Sequence, residues 1–200
     1  PALQKALEMD QNSAIILALN GLYYRRQNQI EKAWSSYSQA ARLEPTNPAW
    51  QLALGDLSAQ KGDLLHAQEY YNQAVTLDPQ DPEVWRGIAV FFIQYDVEVS
   101  TLGMNAAIQL LKLTPKDWQS YNIMGQVLMA GGDLDSAKLY FLKASEIAPE
   151  QAEIYLHLGY LLLIQNQRDE AYSNLFKALQ LDANGSIGWQ AQRLIDQYFP

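Results

Sequence analysis

The chain has 200 residues, of which 48% are hydrophobic, and its 22 acidic residues outnumber its 14 basic ones to give a net charge of −8. That acidity disfavours nucleic-acid binding, because phosphates repel acidic surfaces. The absence of cysteine excludes disulfides and thiolate metal sites, and no apolar run is long enough to span a membrane.

The chain begins with a segment that has the pattern of the second half of a repeat. Lys5-Ala6-Leu7 matches residues 73–75 further along, and we interpret residues 1–13 as a partial repeat. Because the sequence does not begin with methionine, we expect this chain to have been cut or matured from a longer protein.

The residues that follow repeat a pattern of small side chains and prolines at nearly constant intervals. Small residues recur at steps of 34 or 36 residues, at Gly21, Gly55, Ala89, Gly125 and Gly159. Prolines recur at the same steps, at Pro45, Pro79, Pro115 and Pro149. A period of about 20 to 50 residues is typical of solenoids, in which each repeat packs on the next. The repeats are therefore assigned to residues 14–47, 48–81, 82–117, 118–151 and 152–185.

Each repeat contains two stretches in which apolar residues recur at spacings of three and four, which predicts two amphipathic helices. Gly62-Asp63 is expected to end the first helix of its repeat and to cap the second. The third repeat holds two extra residues within 95–101, which would lengthen a turn, add part of a helical turn or form a binding loop. Residues 186–200 have one apolar and one polar face, which predicts a closing helix.

The second repeat carries a recognisable motif in the order Leu54-Gly55, Ala67, Tyr71, Ala74 and Asp78-Pro79. This motif resembles the tetratricopeptide repeat, or TPR. The resemblance implies an all-α fold: a right-handed α-solenoid of about five helix-turn-helix hairpins, with a leading half-repeat and a C-terminal capping helix. The third repeat departs most from the pattern. We expect residues 1–200 to form one continuous TPR solenoid.

The small and aromatic residues of the motif have expected packing roles. Gly55 against Ala67 would let the two helices of a hairpin approach closely, and a leucine there would overpack the contact by about 1–3 kcal/mol. Trp85 and Tyr121 are expected to fill space between neighbouring repeats. If they are buried, replacing either with alanine would cost about 3–5 kcal/mol.

The sequence contains no phosphate loop, dinucleotide fingerprint, HExxH motif or nucleophile elbow. Of its two histidines, we interpret His157 as a packing or capping residue and His66 as solvated. We therefore predict that the protein is not an enzyme, and that it has no catalytic residue, metal site or cofactor.

The resemblance implies that the first helices of the repeats line a concave groove in which ligands bind. The residues expected to contact a partner there are Leu22, Arg25, Arg26, Leu52, Asp56, Arg86, Val90, Asn122, Gln126, Leu156 and Tyr160. A groove that mixes apolar and polar residues suits an amphipathic helix or an extended peptide. The alternative for each apolar residue is that it packs against the adjacent repeat and belongs to the core.

Charge is unevenly distributed along this predicted groove. Arg25 and Arg26 form a basic patch that would bind a carboxylate. The alternative is that they are solvated at the end of a helix, where cations interact favourably with the helix dipole. Acidic residues concentrate between Asp56 and Glu98, which would attract a basic partner or simply be solvated. A chaperone-type carboxylate clamp is disfavoured, because its positions hold residues of the wrong chemistry, such as Glu83.

These observations predict a non-enzymatic protein–protein interaction module that binds a peptide or an amphipathic helix of a partner protein. One alternative is a self-associating structural scaffold, and thus a homo-oligomer. Another is the regulatory arm of a larger enzyme that is separate from its catalytic domain. We expect no nucleic-acid partner and no membrane span. A cytoplasmic location is expected, and the lack of cysteine leaves an extracytoplasmic one open.

Overall fold

The computed structural model describes residues 12–200, and in that range the chain forms helices joined by short turns. The α-helices are α1 (Ala14–Arg26), α2 (Ile30–Leu43), α3 (Pro48–Gln60), α4 (Leu64–Leu77), α5 (Pro82–Tyr95), α6 (Met104–Leu113), α7 (Trp118–Ala130), α8 (Leu134–Ile147), α9 (Ala152–Ile164), α10 (Arg168–Leu181) and α11 (Ser186–Tyr198). A short π-helical segment, Val99–Gly103, precedes α6. The predicted all-α class is confirmed. The predicted partial repeat, residues 1–13, lies outside the described residues except for its last two.

The described residues form two compact units, the first ending at Phe91 and the second running from Phe92 to Pro200. In the first unit, α1 packs on α2 and α3 packs on α4 as consecutive hairpins, and α2 also contacts α3. In the second unit, the hairpins are α7 with α8 and α9 with α10, and α11 packs on both α9 and α10. Each hairpin falls inside one predicted repeat. That the whole chain is one continuous solenoid stays a prediction.

The small residues that recur along the chain lie where the two helices of a hairpin approach each other most closely. A Cβ atom added at Gly55 would lie 3.0 Å from the ring of Tyr71, and one added at Gly125 would lie 2.6 Å from the ring of Phe141. The nearest neighbour of Gly55 is therefore the aromatic ring of Tyr71 rather than Ala67. These contacts leave little room for a side chain on the first helix, least of all at Gly125.

Two of the turns inside the hairpins combine a glycine in the left-handed region with an aspartate that caps the next helix. Gly62 and Gly132 have φ values of 82° and 87°, in the region that glycine adopts most easily. The residues that follow them cap the next helix, because the Asp63 carboxylate accepts from the backbone N–H of His66 and that of Asp133 accepts from Ser136. The cap predicted at Asp63 is confirmed, and Asp133 repeats it.

Aromatic residues attach first helices to the turns that precede them. Trp85 donates its indole N–H to the carbonyl of Pro79 at 2.8 Å, and the hydroxyl of Tyr121 donates to the carbonyl of Pro115 at 3.0 Å. Tyr155 donates to Pro149 in the same way. Trp85 and Tyr121 are half-buried rather than buried, so the condition for the expected 3–5 kcal/mol loss on truncation is only partly met.

The two extra residues of the third repeat add part of a helical turn, as one of the expectations had it. Asp96 and Glu98 adopt positive φ values of 50° and 46°, and the π-helical segment that follows packs on α6 and α7. Val99 is buried by this packing. The insertion is therefore accommodated in the second unit as a packed element.

The closing helix is present as α11 and is amphipathic. Gly188, Ala191 and Ile195 are buried against the rest of the second unit. Trp189 lies outside this buried face and is 71% exposed.

Candidate functional site

In the first unit, the predicted binding residues occupy α1, α3 and α5, the first helices of their repeats. Arg26, Asp56 and Val90 are exposed, and Val90 keeps 42% of its surface in contact with solvent. The other members are half-buried, namely Leu22, Arg25, Leu52 and Arg86. A Cβ atom at Gly87 would lie 3.4 Å from Leu52, so Leu52 also contributes to packing between α3 and α5.

Arg25 and Asp56 are brought together by the packing of α1 and α3. A guanidinium nitrogen of Arg25 lies 2.8 Å from one carboxylate oxygen of Asp56, and the hydroxyl of Tyr71 donates to the other oxygen at 2.8 Å. Arg25 is thus already paired, and a partner carboxylate would have to compete with Asp56. Arg26, which makes no ion pair with any residue in 12–200, is the more available cation of the two.

In the second unit, the predicted residues lie on α7 and α9, and two of them differ from expectation. Tyr160 is 44% exposed, but Asn122 and Leu156 are buried, with exposures of 2% and 6%. Gln126 is half-buried. Asn122 is buried because its amide hydrogen-bonds two side chains of the neighbouring first helix, so its expected exposure in a groove is corrected.

Those two partners of Asn122 are Glu153 and His157 of α9. The Asn122 amide nitrogen donates to Glu153 Oε1 at 3.1 Å, and His157 Nδ1 lies 2.9 Å from Asn122 Oδ1. Since the Asn122 oxygen can only accept, His157 carries its proton on Nδ1 in this arrangement. Desolvation lowers the pKa of the His157 imidazole to about 4, and it raises the pKa of the Glu153 carboxyl.

A pocket of about 300 Å³ opens between α9 and α11. Leu156 and Tyr160, both predicted binding residues, line it together with His157. From α11, Arg193 and Leu194 complete the lining with two glutamines. Of the predicted residues, the structure therefore gathers Arg25 with Asp56 in the first unit, and Leu156 with Tyr160 in the second.

Sequence reasoning missed the contribution of α11 to this pocket. Arg193 lies 34 residues after Gly159 and occupies the place that a glycine or an alanine holds in the complete repeats. A long charged side chain there is incompatible with the close contact that glycine makes with a second helix. That difference was the available signal that this face of α11 is exposed.

Residues 12–200 contain no group of three or more His, Asp or Glu side chains placed to hold a metal ion. The helices of this part of the chain are all too short or too polar to cross a membrane.

Several known proteins and solved structures are similar to this chain. The chain is 26% identical over 182 residues to the human protein O-mannosyl-transferase TMTC1. The aligned region covers 89% of this chain but only 20% of that protein. Among solved structures, it aligns with yeast Tom70 at a TM-score of 0.80 and 18% identity, over 98% of this chain and 42% of that one. It aligns with YrrB at a TM-score of 0.59 and 19% identity, over 96% and 98% of the two chains.

The structural matches confirm the α-solenoid fold class. Family models of the tetratricopeptide repeat match residues 18–82 and residues 119–151 and 152–184, together more than half of the chain. The chain belongs to the tetratricopeptide repeat family.

Proposed function

We propose that this chain is a protein–protein interaction module that holds a peptide or an amphipathic helix of a partner along the first helices of its repeats. The supporting observation is the pairing of exposed apolar side chains with polar ones on those helices. Val90 is 42% and Tyr160 is 44% exposed. Burying either side chain against a partner would be favourable, because apolar surface would be removed from water. YrrB is described as a TPR protein with an unusual peptide-binding site, which adds weight.

Polar side chains on the same helices would orient the bound segment. Arg26 is exposed and would pair with a carboxylate of the partner. Gln126 would offer an amide to its backbone, which suits either a helix end or an extended chain. Asn122 is buried and holds α9 through its hydrogen bonds to Glu153 and His157, whereas Leu156 is buried in the wall of the α9–α11 pocket.

The chain offers matched variants that test this location. Val90→Lys and Tyr160→Lys place a charge on first helices, one in each unit. Leu65→Lys and Leu139→Lys place the same charge on second helices, at leucines that are 78% and 68% exposed. All four positions are exposed, so all four variants are expected to fold.

The measurement uses peptides selected on the wild-type chain from a random-peptide library displayed on phage. Both first-helix variants should weaken binding of the selected peptides by about tenfold or more, which corresponds to about 1.4 kcal/mol. Both second-helix variants should bind like the wild type. Equal binding by all four variants, or loss only in the second-helix pair, would place the binding surface elsewhere.

Self-association is a second candidate, because α11 exposes a large aromatic side chain. Trp189 lies 34 residues after Tyr155, which is buried in its own repeat, yet Trp189 is 71% exposed. It borders a second pocket of about 380 Å³ between α10 and α11. Tryptophan is a frequent anchor of protein interfaces. Light scattering should show a mass that rises with concentration and returns to that of a monomer in Trp189→Ser, whereas a monomer at every concentration removes this candidate.

The third candidate, a regulatory arm of a larger enzyme, draws on the similarity to TMTC1. That relative is named as a transferase, and the chain spans about a fifth of its length. A fused catalytic domain in the full reading frame would support this candidate, and it is compatible with a peptide-binding role for the repeats themselves.

A further inference from the structure

The pocket between α9 and α11 has an apolar wall. Leu156 is buried at its base, Tyr160 is 44% exposed at its edge, and Leu194 of α11 faces them. Its volume of about 300 Å³ is at the lower end of the range for ligand sites, which fits one large side chain rather than a whole small molecule.

Beside this apolar wall, the pocket carries a cation, the guanidinium of Arg193. Arg193 lines the pocket and makes no ion pair with any residue between 12 and 200. The acidic side chain one turn further along α11, Asp196, instead accepts a hydrogen bond from Gln192 at 2.7 Å. Two amides, Gln190 and Gln197, are the other polar groups that α11 contributes.

The lining also contains His157, whose pKa is lowered to about 4 by desolvation, so this imidazole is neutral near pH 7. His157 is held by Asn122 at 2.9 Å and packs against the ring of Phe141, with 5.6 Å between the ring centroids. Its position is therefore fixed from behind the pocket. Arg193 is then the charged group of the lining, and the pocket is complementary to an anion beside an apolar group.

We propose that this pocket binds a large apolar side chain of a partner protein that stands next to an aspartate or glutamate side chain. The apolar side chain would lie among Leu156, Tyr160 and Leu194, and the carboxylate would accept hydrogen bonds from the Arg193 guanidinium. This inference rests on the proposed function, because it places one anchor of the bound segment beside α9, a first helix of the second unit.

A carboxylate from an acidic side chain fits better than a free chain terminus. One guanidinium can hold one carboxylate through a bidentate pair. A terminal carboxylate has to be recognised together with its own backbone, and the lining provides a single cation for that purpose. An internal acidic residue beside an apolar one needs only the groups that are present.

The experiment uses a random-peptide library fused by its carboxyl end to a phage coat protein, so that no displayed peptide has a free terminal carboxylate. The library is selected separately on the wild-type chain, on Arg193→Glu and on Lys116→Glu. Lys116 is exposed in the turn before α7, so its reversal changes the net charge equally without touching the pocket. Arg193 is also exposed, and its variant is expected to fold.

Selection on the wild type and on Lys116→Glu should enrich peptides in which an aspartate or glutamate neighbours a large apolar residue. On Arg193→Glu, that acidic preference should disappear or invert to lysine and arginine. Individual acidic peptides should bind Arg193→Glu about tenfold or more weakly than the wild type. Their binding should weaken as well in Leu194→Lys.

Three results would overturn the inference. Enrichment without an acidic preference, or an acidic preference that Arg193→Glu preserves, would remove Arg193 from the site. If those peptides nevertheless lose binding in Val90→Lys or Tyr160→Lys, the proposed function stands and only the role of Arg193 falls. Failure to enrich any peptide would overturn both.

Discussion

At the scale of single residues, the glycines within helices are of two kinds: at some, an added Cβ atom would clash with a neighbouring side chain, and at others it would have room. A Cβ atom at Gly125 would lie 2.6 Å from two ring carbons of Phe141, and that ring is fully buried and cannot move aside. A Cβ atom at Gly87 would meet its nearest neighbour, Leu52, at an ordinary 3.4 Å. The two positions are therefore a matched pair for testing the packing of the hairpins.

Gly125→Ala should lower the free energy of unfolding by about 1–3 kcal/mol, because the added methyl group overpacks the α7–α8 contact. Gly87→Ala should leave it unchanged or raise it by up to about 1 kcal/mol, because alanine favours the helix and has room. Urea denaturation of both variants measures the difference. Equal stability changes at Gly125 and Gly87 would mean that the close approach to Phe141 is not what requires glycine.

The two histidines should affect stability in opposite directions with pH. Desolvation lowers the pKa of His157 to about 4 in the folded chain, against about 6.5 when unfolded. Between these values the unfolded state binds a proton that the folded state does not, so stability falls as the pH falls from 6.5 towards 4. The full shift corresponds to roughly 3 kcal/mol. For exposed His66, the hydrogen bond with Asp63 raises the pKa, so its contribution is lost as the pH rises through that raised value.

Urea denaturation at a series of pH values between 4 and 7 tests this contrast. His157→Gln should flatten the loss of stability on the acid side, whereas His66→Gln should not. Glu153, whose pKa is raised by burial, acts in the opposite sense to His157, but it is present in the wild type and in both variants and cancels in the comparison. Parallel pH profiles for the wild type and His157→Gln would show that His157 is not desolvated.

At the scale of helices, four second helices begin from the same backbone geometry but differ in their caps. Asp63 and Asp133 have φ and ψ near −89°, 74° and −84°, 76°, and both side chains cap their helices. Gln29 and Gln167 have nearly the same angles, −92°, 68° and −90°, 71°, but make no side-chain cap bond. Glutamine is too long to reach back to the first turn.

Gln29→Asp should therefore raise the free energy of unfolding by about 0.5–1 kcal/mol, because it supplies the missing cap of α2. It also removes the Gln29 side-chain oxygen, which is buried without a partner in the described part of the chain. The reverse exchange, Asp133→Gln, should lower stability by about 1 kcal/mol at α8. Thermal denaturation of the two variants checks this, and shifts of the same sign would show that the cap does not determine the stability of these helices.

Much of this element structure follows from spacing in the sequence. The recurrence of small residues predicts the hairpins, and Gly62-Asp63 predicts both the turn and the cap. The π-helical form of Val99–Gly103 could not be predicted, because two extra residues can be accommodated in several ways of similar energy. The length of the insertion indicates only that the turn must differ.

Which of the candidate site residues are exposed and which are buried could not be predicted from the sequence. A polar residue on a first helix either faces solvent or bonds the next first helix, and its type does not distinguish the two. Asn122 bonds Glu153, 31 residues later, and Arg25 bonds Asp56 at the same separation. A search for complementary polar residues at that spacing would have found both contacts.

At the scale of the whole molecule, several of the acidic residues that give the chain its negative charge have structural roles in the described part of the chain. Asp78 and Asp81 accept backbone hydrogen bonds in the turn before α5, and Asp56 is paired with Arg25. Part of the acidic stretch from Asp56 to Glu98 therefore serves the fold. The cations that lack an ion pair within residues 12–200 include Arg26 and Arg193, both at the proposed binding surface. This distribution favours partner segments that carry acidic residues.

The proposed function places partners along the first helices of the repeats. Backbone amide chemical shifts of the labelled chain, recorded with and without a saturating selected peptide, test it most directly. The largest changes should fall in α1, α3, α5, α7 and α9 and on the face of α11 that carries Arg193. Changes concentrated in α2, α4, α8 and α10 would contradict the claim and move the binding surface to the second helices.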